Sequence, residues 1–441
     1  MSDAARRLAV ALLLALIGAQ ARAPGRRRTP PPPPAAAVVL VSIDTLRADR
    51  LGVYGHRPSV TPAMDALARD AVLFRWAIAQ GPSTLVSHAS MFTSAVPQHH
   101  GASINRHTAL VADRPTIAET LRAHGYRTLA FHGGGQLDAV FGMGRGFQRY
   151  QVETGRFAVT VDKVLHFLER ARPSRFFLFV HTYQAHHPYT PEPQDLAALD
   201  SDYRGSLPGT ISIELLDAIN GNQQTPISAA DLRHVEHAYE AGVRSVDAAF
   251  GGLVLGLKRL GMYDSSLLIL TSDHGEEFFE HGKVGTHGHT LYDELLRVPL
   301  LVKYPGSWAA GSVLDAQVRS IDIAPTVLAS LRLQAPAGFE GEDLTPYVAG
   351  GPPPPPFAVS AIDGGGSSLR TPWWKWDRGA LYDLRRDPAE RSDVSGGNAR
   401  LATALRLQSE RLAAVAAHAR AVTVDPALVE RLRALGYVDV Q

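Results

Sequence analysis

Two acidic residues and one histidine closely follow apolar runs that are typical of buried strands. Asp44 comes directly after residues 38–43, and Asp273 and His274 come shortly after residues 267–270. Open α/β sheets bind ligands beyond the carboxyl ends of their strands, and a carboxylate there is costly unless it is paired or metal-bound. Carboxylate and imidazole together suit Mg²⁺, Ca²⁺, Mn²⁺ or Zn²⁺. The pattern predicts a divalent metal site, although Asp44 alone would also fit an N-cap of the next turn.

The chain after Asp273 concentrates groups that bind metals and anions. Four histidines lie between positions 273 and 294, among several acidic residues. Tight loops that bring the backbone close to a ligand are indicated by the glycines of this stretch: Gly275, Gly282, Gly285 and Gly288. The alternative, a solvated polar loop, accounts poorly for so many histidines.

Three hydroxyl residues stand near the start of a predicted helix at residues 87–94. They are Ser83, Thr84 and Ser87. A hydroxyl near a helix N-terminus lies where backbone N–H groups and the helix dipole favour an anion. Simple capping by Ser83 or Thr84 explains the pattern equally well from composition alone.

Composition excludes several classes of function. The 441 residues carry 44 Lys plus Arg and 43 Asp plus Glu, so the net charge of +1 gives no reason to expect a nucleic-acid partner. The absence of Cys excludes disulfides, thiolate ligands and a Cys nucleophile.

The N-terminal residues predict export. Arg6 and Arg7 precede an apolar run over residues 8–19, and small residues at 19–21 offer a cleavage site. The run is too short for the ~20 residues of a spanning helix, so a signal peptide at 1–21 is favoured over an uncleaved anchor. The sequence predicts no other membrane span, and it predicts a periplasmic or secreted protein.

Strands alternate with helices along the next 300 residues. Apolar runs predict further strands at 128–131, 176–180 and 298–302, and periodicity predicts helices at 62–74 (with Thr61 as N-cap), 87–94, 115–124 and 229–260. This alternation predicts an α/β fold with a mostly parallel central sheet covered by helices on both faces.

Proline-rich segments predict the domain boundaries. Residues 22–37 are an Arg/Pro-rich linker before a main domain at 38–349, and residues 350–356 form a second linker. The remainder, 357–441, predicts a small α+β subdomain with short strands and a helix at about 398–420. Residues 200–226 are interpreted as a surface insertion.

A series of short motifs, in order, resembles the sulfatase family of the alkaline phosphatase-like superfamily. The matching segments are 42–49, 54–55, 61–62, 87–93, 97, 100–101, 185–189, 272–276, 297–300, 381–384 and 387–388. The resemblance implies the alkaline phosphatase-like fold and one divalent metal ion, with Ca²⁺ favoured by family and Mg²⁺, Mn²⁺ or Zn²⁺ as alternatives.

The resemblance also implies roles for individual residues. Asp44, Asp273 and His274 match metal ligands, and Thr45 stands where many sulfatases have a further Asp ligand. Thr84 matches the nucleophile.

Three further positions complete the implied catalytic set. His88 stands where the family usually has Arg, and His186 and His289 match residues that contact the ester anion. Residues 133–135 are glycines where sulfatases have a Lys and a His.

Thr84 departs from the family pattern, since sulfatases use a formylglycine made from Cys or Ser. A metal-activated Thr hydroxyl would instead attack the tetrahedral centre directly. We therefore predict a metal-dependent hydrolase of sulfate or phosphate esters on a small molecule, glycan or lipid. The alternatives are a phosphoester hydrolase or phosphoryl-group transferase of the cell envelope, and an inactive binder that keeps the metal.

Overall fold

A computed structural model describes residues 29–221, 227–414 and 419–437. The predicted signal peptide and residues 22–28 of the linker after it lie outside the described residues. The helices are α1 (Pro62–Asp70), α2 (Thr84–Thr93), α3 (Pro97–His100), α4 (Ile117–Ala123), α5 (Phe157–Ala171), α6 (Pro193–Asp200), α7 (Ile213–Gly221), α8 (Ala229–Arg259), α9 (Asp293–Leu296), α10 (Ile323–Ser330), α11 (Thr345–Val348), α12 (Ala399–Leu412) and α13 (Pro426–Ala434).

Fourteen strands are formed by the described residues. They are β1 (Ala37–Ile43), β2 (Val72–Ile78), β3 (Arg127–His132), β4 (Arg149–Val152), β5 (Phe176–Thr182), β6 (Ser266–Thr271), β7 (Glu277–Phe278), β8 (Val284–Thr286), β9 (Arg297–Lys303), β10 (Val313–Arg319), β11 (Ala358–Ala361), β12 (Ser367–Arg370), β13 (Trp374–Asp377) and β14 (Ala380–Asp383).

The larger sheet has eight strands in the order β10-β2-β9-β6-β1-β5-β3-β4. Only β9 runs antiparallel to its neighbours, so the predicted mostly parallel α/β sheet is confirmed. Alternate residues of β1 enter two separate apolar cores, Val38 and Leu40 on one face and Val39 and Val41 on the other. Burial on both faces explains why β1 is a continuous apolar run.

The C-terminal region contributes a second sheet and one helix that returns to the main core. Strands β11 to β14 form a four-stranded antiparallel meander. Helix α12 packs on this sheet, whereas Leu428 and Leu432 of α13 belong to the core of the larger sheet. None of the helices in the described part of the chain is long and apolar enough to cross a membrane.

Several predicted boundaries differ from the structure. The helix predicted at 62–74 ends at Asp70, because Val72 onward pairs with β9 and β10. Thr61 does not cap α1 through its side chain, since its hydroxyl accepts a hydrogen bond from the Gly52 N–H at 3.1 Å. The helix predicted at about 398–420 ends at Leu412.

The segment interpreted as a surface insertion is partly buried. Ile211 pairs with Tyr189, and both Ile211 and Leu216 enter the core.

Candidate active site

Three adjacent strands deliver the central side chains of the site. Ser42 of β1 is in register with His181 of β5 and with Thr271 of β6. Asp44 therefore emerges beside His181 on one side and Asp273 on the other. The sheet thus brings together polar side chains that are more than 90 positions apart in the chain.

Asp44, Asp273 and His274 form a fully buried cluster. One potential ligand atom from each of them lies within 4.8 Å of the others. The cluster leaves Asp44 Oδ1, Asp273 Oδ2 and His274 Nε2 without a hydrogen-bond partner. Buried polar atoms are almost always paired, so three converging unpaired atoms fit a cation. The structure brings the predicted ligands together and supports their fit to a divalent metal.

Burial and the neighbouring charges also shift the pKa values of the three residues in this cluster. Burial raises the pKa of Asp44 and of Asp273, because the buried site disfavours each negative charge. Burial alone would lower the pKa of His274, but the two nearby carboxylates outweigh it and raise that pKa. All three shifts favour the protonated forms, and a bound cation would oppose them.

Thr45 occupies a strained position beside the cluster. Its φ is +56°, which is rare for a β-branched residue, and its buried Oγ1 has no hydrogen-bond partner. Such outliers persist where the surrounding structure holds them, often at functional sites. Here Tyr239 donates a hydrogen bond to the Thr45 carbonyl at 2.9 Å.

Thr84 begins α2 and points into the cluster. Its Oγ1 lies 3.1 Å from Asp44 Oδ2 and 3.2 Å from the hydroxyl of Tyr437. Because the Asp44 carboxylate is acceptor-only when ionised, the Thr84 hydroxyl donates to it. Ser83 forms no side-chain cap for α2, and its Oγ has no hydrogen-bond partner.

His88 lies behind Thr84. Its Nδ1 donates to the Thr84 carbonyl at 2.9 Å, and its Nε2 accepts from Ser42 Oγ at 2.9 Å. Burial lowers the pKa of His88 to about 4, so the ring is neutral at pH 7. A neutral ring with both nitrogens engaged can support Thr84 but lacks the charge of an arginine.

His186 and His287 face the same point from the opposite side. Their Nε2 atoms lie 3.3 Å and 3.2 Å from the Tyr437 hydroxyl. His186 Nδ1 donates to the His187 carbonyl, and His287 Nδ1 donates to Glu276 Oε1 at 2.9 Å. Burial lowers the pKa of His287 to about 3 and also that of His186, so both Nε2 atoms are acceptors.

His289 lies apart from this group. Its ring is half exposed and pairs with Glu277 Oε2 at 3.2 Å and with the His287 carbonyl. The structure thus brings Thr84, His88 and His186 to the metal cluster and places His287, two residues earlier, where His289 was expected. In the sequence His287-Gly288-His289, spacing alone does not show which of the two histidine side chains points into the site.

Three side chains of the site were not singled out from the sequence. His181 had a signal, because a histidine within the apolar run of β5 is costly to bury without a partner, and its Nε2 lies 3.2 Å from Asp44 Oδ2. His287 belongs to the histidine-rich stretch after Asp273, so the sequence pointed to the stretch but not to this residue. No sequence pattern around Tyr437 indicated a role, because Tyr437 is 353 positions from Thr84 in sequence and contacts it only in the folded structure.

Comparison with known proteins places the chain in a family. The family model described as Sulfatase matches residues 36–332. An ulvan-active sulfatase of Formosa agariphila is 26% identical over 343 residues, which cover 70% of this chain and 64% of that protein. A multifunctional alkaline phosphatase superfamily protein, PehA of Trinickia caryophylli, is 31% identical over 126 residues, 28% of this chain and 24% of that protein. The chain thus spans less than two thirds of the length of these relatives.

Solved structures show the same fold. BT4656 in complex with its substrate D-glucosamine-2-N,6-O-disulfate superposes with a TM-score of 0.72 at 20% identity, covering 87% of this chain and 98% of that one. The phosphonate monoester hydrolase of Agrobacterium radiobacter gives a TM-score of 0.69 at 22% identity, covering 85% and 95%. The alkaline phosphatase-like architecture predicted from the motifs is confirmed.

Proposed function

The chain belongs to the sulfatase family, and we propose that it hydrolyses sulfate or phosphate esters with the unmodified Thr84 hydroxyl as nucleophile. The observation that carries this proposal is the contact of 3.1 Å between Thr84 Oγ1 and Asp44 Oδ2, within a buried cluster in which Asp44 Oδ1, Asp273 Oδ2 and His274 Nε2 have no hydrogen-bond partner. A divalent metal held by Asp44, Asp273 and His274 would lower the hydroxyl pKa of Thr84 and polarise the ester.

Asp44, His88 and Thr84 have separate roles in the proposed reaction. Asp44 accepts the hydrogen bond of the Thr84 hydroxyl and orients its oxygen, and His88 fixes the backbone at Thr84. Thr84 Oγ would form a bond to phosphorus or sulfur while the ester bond to the leaving oxygen breaks, and the proton that Thr84 gives up would end on that leaving oxygen. Water then cleaves the Thr84 ester and regenerates the hydroxyl.

The identity of the nucleophile favours phosphate esters as a second candidate within the same site. Threonine cannot be converted to the aldehyde that sulfatases use, whereas a hydroxyl can attack a phosphoryl centre directly. A sulfatase is among the relatives of the chain, and a phosphonate monoester hydrolase is among the proteins that share its fold. A small-molecule, glycan or lipid ester remains our proposed substrate class.

Further parts of the proposal concern the metal and the architecture. Two carboxylates, one imidazole and the nearby Thr45 hydroxyl suit Ca²⁺, with Mg²⁺, Mn²⁺ or Zn²⁺ as alternatives. We also propose export, a catalytic domain at 38–349 and a C-terminal subdomain at 357–441.

The decisive experiment assays purified protein with each metal against aryl sulfate, phosphate monoester, phosphate diester and phosphonate ester. Thr84→Ala is expected to lose activity by several orders of magnitude, on the order of 10⁴-fold, with metal content unchanged. Thr84→Ser is expected to retain measurable turnover, because it keeps the hydroxyl.

Ser83→Ala is the matched control, since Ser83 adjoins Thr84 and is likewise buried. Intact-protein mass is expected to show no modification of residue 84. Near-normal rates for Thr84→Ala on every accepted substrate would overturn the nucleophile assignment. A wild type that binds metal and hydrolyses none of the four esters would favour the inactive binder.

A further inference from the structure

Tyr437 places its phenol hydroxyl on the nucleophile. We propose that Tyr437 is a catalytic residue whose hydroxyl donates a hydrogen bond to an oxygen of the transferred sulfuryl or phosphoryl group. The inference rests on the proposed role of Thr84 as nucleophile. The Tyr437 hydroxyl lies 3.2 Å from Thr84 Oγ1, and this distance is what places it next to the group that Thr84 would attack.

The hydrogen bonds around this hydroxyl fix its direction. His186 Nε2 and His287 Nε2, at 3.3 Å and 3.2 Å, are both acceptors because each ring donates through Nδ1. Thr84 Oγ donates to Asp44 and so offers only lone pairs to Tyr437. One phenol proton therefore faces three acceptors. Only one of these acceptors can take the proton at a time, and Tyr437 is the one donor free to turn among these four groups. An ester oxygen arriving there would compete with the two imidazoles for the phenol proton.

The backbone before Tyr437 is shaped to reach this point. Gly436 adopts φ +79°, and a Cβ there would lie 2.6 Å from His187 Nε2. A side chain at Gly135 would approach Leu435 Cδ1 to 2.5 Å, and one at Gly133 would approach the Tyr183 ring to 2.4 Å. Gly135 thus leaves room for Leu435, and Gly436 lets the backbone before Tyr437 pass close to His187.

Helix α13 holds the segment against the main domain. Asp425 caps its N-terminus by accepting from the Leu428 N–H at 2.7 Å, and Leu428 and Leu432 are buried in the larger core. Arg431 pairs with Asp138 at 3.1 Å, next to the Gly133–Gly135 loop. The anchoring shows that Tyr437 is delivered by a packed helix.

The chemistry of the donor suits transition-state stabilisation. A hydrogen bond to a non-bridging oxygen strengthens as negative charge develops there, so it acts on turnover more than on substrate binding. The phenol stays protonated, because burial and the nearby Asp44 hold its pKa well above the usual value.

Tyr437→Phe in the full, metal-loaded chain tests the proposal. It is expected to lower kcat on the order of 10²–10³-fold while KM changes less than about threefold. Orthovanadate, which mimics the five-coordinate transition state, is expected to lose affinity by a similar factor, whereas metal content stays unchanged. Tyr203→Phe is the matched control, since it removes a phenol hydrogen bond to Asp231 that lies outside the site.

Gly436→Ala provides a second variant that keeps the phenol but displaces it. It is expected to reproduce the loss seen in Tyr437→Phe. Equal kcat and equal vanadate affinity in Tyr437→Phe and Tyr203→Phe would overturn the inference while leaving Thr84 as nucleophile intact.

Vanadate binding separates the two proposals. If no ester is hydrolysed, weaker vanadate binding by Tyr437→Phe still supports the role of the phenol. Loss of activity in Tyr437→Phe but not in Thr84→Ala would overturn the proposed nucleophile and the inference that rests on it. Absence of vanadate binding to the wild type would overturn the inference directly.

Discussion

The protein buries two clusters of charged residues that are built on opposite principles. In the proposed metal-site cluster, Asp44, Asp273 and His274 converge and leave three atoms without a hydrogen-bond partner. In the second cluster, hereafter the Lys375 cluster, Lys375 lies 2.7 Å from Glu390 and 3.1 Å from Asp293.

The Lys375 cluster balances two carboxylates, Asp293 and Glu390, with two cations. Arg370 adds a pair to Asp293 at 2.7 Å, so cations of the small sheet meet a carboxylate that precedes β9 of the large one. A cluster that pairs its own charges holds the two sheets together, whereas one that leaves charges open is available for a ligand.

The largest expected effect comes from the open cluster. Asp273→Ala is expected to abolish metal binding and to lower kcat/KM by ~10⁴-fold or more. The metal-free variant is expected to be at least as stable as the metal-free wild type, because one of two mutually repelling buried carboxylates is gone. Elemental analysis and thermal unfolding with and without chelator measure this. Full metal occupancy in Asp273→Ala would contradict the site.

Removing a cation from the Lys375 cluster is expected to lower the stability of the protein and to leave its metal content unchanged. Lys375→Met leaves Asp293 and Glu390 close together with Arg370 as the remaining cation, which is expected to reduce the free energy of unfolding by roughly 3–5 kcal/mol. Denaturant unfolding measures the loss, and metal content is expected to stay at the wild-type level. Unchanged stability would show that the cluster does not hold the sheets together.

The pH dependence of stability provides a smaller test of the same cluster. Burial raises the pKa of Glu390 to about 7, above its unfolded value of about 4.3. The folded state therefore binds this proton more tightly, and its contribution to stability is lost as pH rises from about 4 through 7. Glu390→Gln is expected to remove this slope, which is at most about 1.4 kcal/mol per pH unit. Identical slopes in the two proteins would contradict the assignment.

An exposed ion pair supplies the smallest effect. Arg406 and Glu410 pair one turn apart on α12 and are both well exposed. Arg406→Ala is expected to change the free energy of unfolding by no more than about 0.5 kcal/mol, because solvent screens such pairs. Denaturant unfolding of Arg406→Ala and Lys375→Met under the same conditions tests whether burial decides how much an ion pair contributes to stability. An equal loss of unfolding free energy in the two variants would show that burial does not decide it.

The sequence allowed prediction of the features that local pattern determines. The apolar runs of β1 and β6 predicted two strands of the sheet, and the acidic residues after them predicted that Asp44 and Asp273 would lie together in one buried cluster. Long-range packing determined the rest. The residues after Ala71 continue an apolar stripe that suits a helix, yet pairing with β9 makes them a strand. Spacing alone could not show which of His287 and His289 turns inward, because the loop conformation decides it.

The order of the sheet has a consequence for how such a protein can diverge. Asp44, His181 and Asp273 are set by the register of three neighbouring strands, so an insertion in any connecting loop leaves their spacing untouched. A shift of one residue within β1, by contrast, would turn Asp44 to the other face. Tyr437 follows a separate helix, α13, and the segment between them packs closely on Gly135, where a Cβ would approach Leu435 Cδ1 to 2.5 Å. Descendants of this gene could therefore exchange the residue that follows α13 while keeping Asp44, His181 and Asp273 in place.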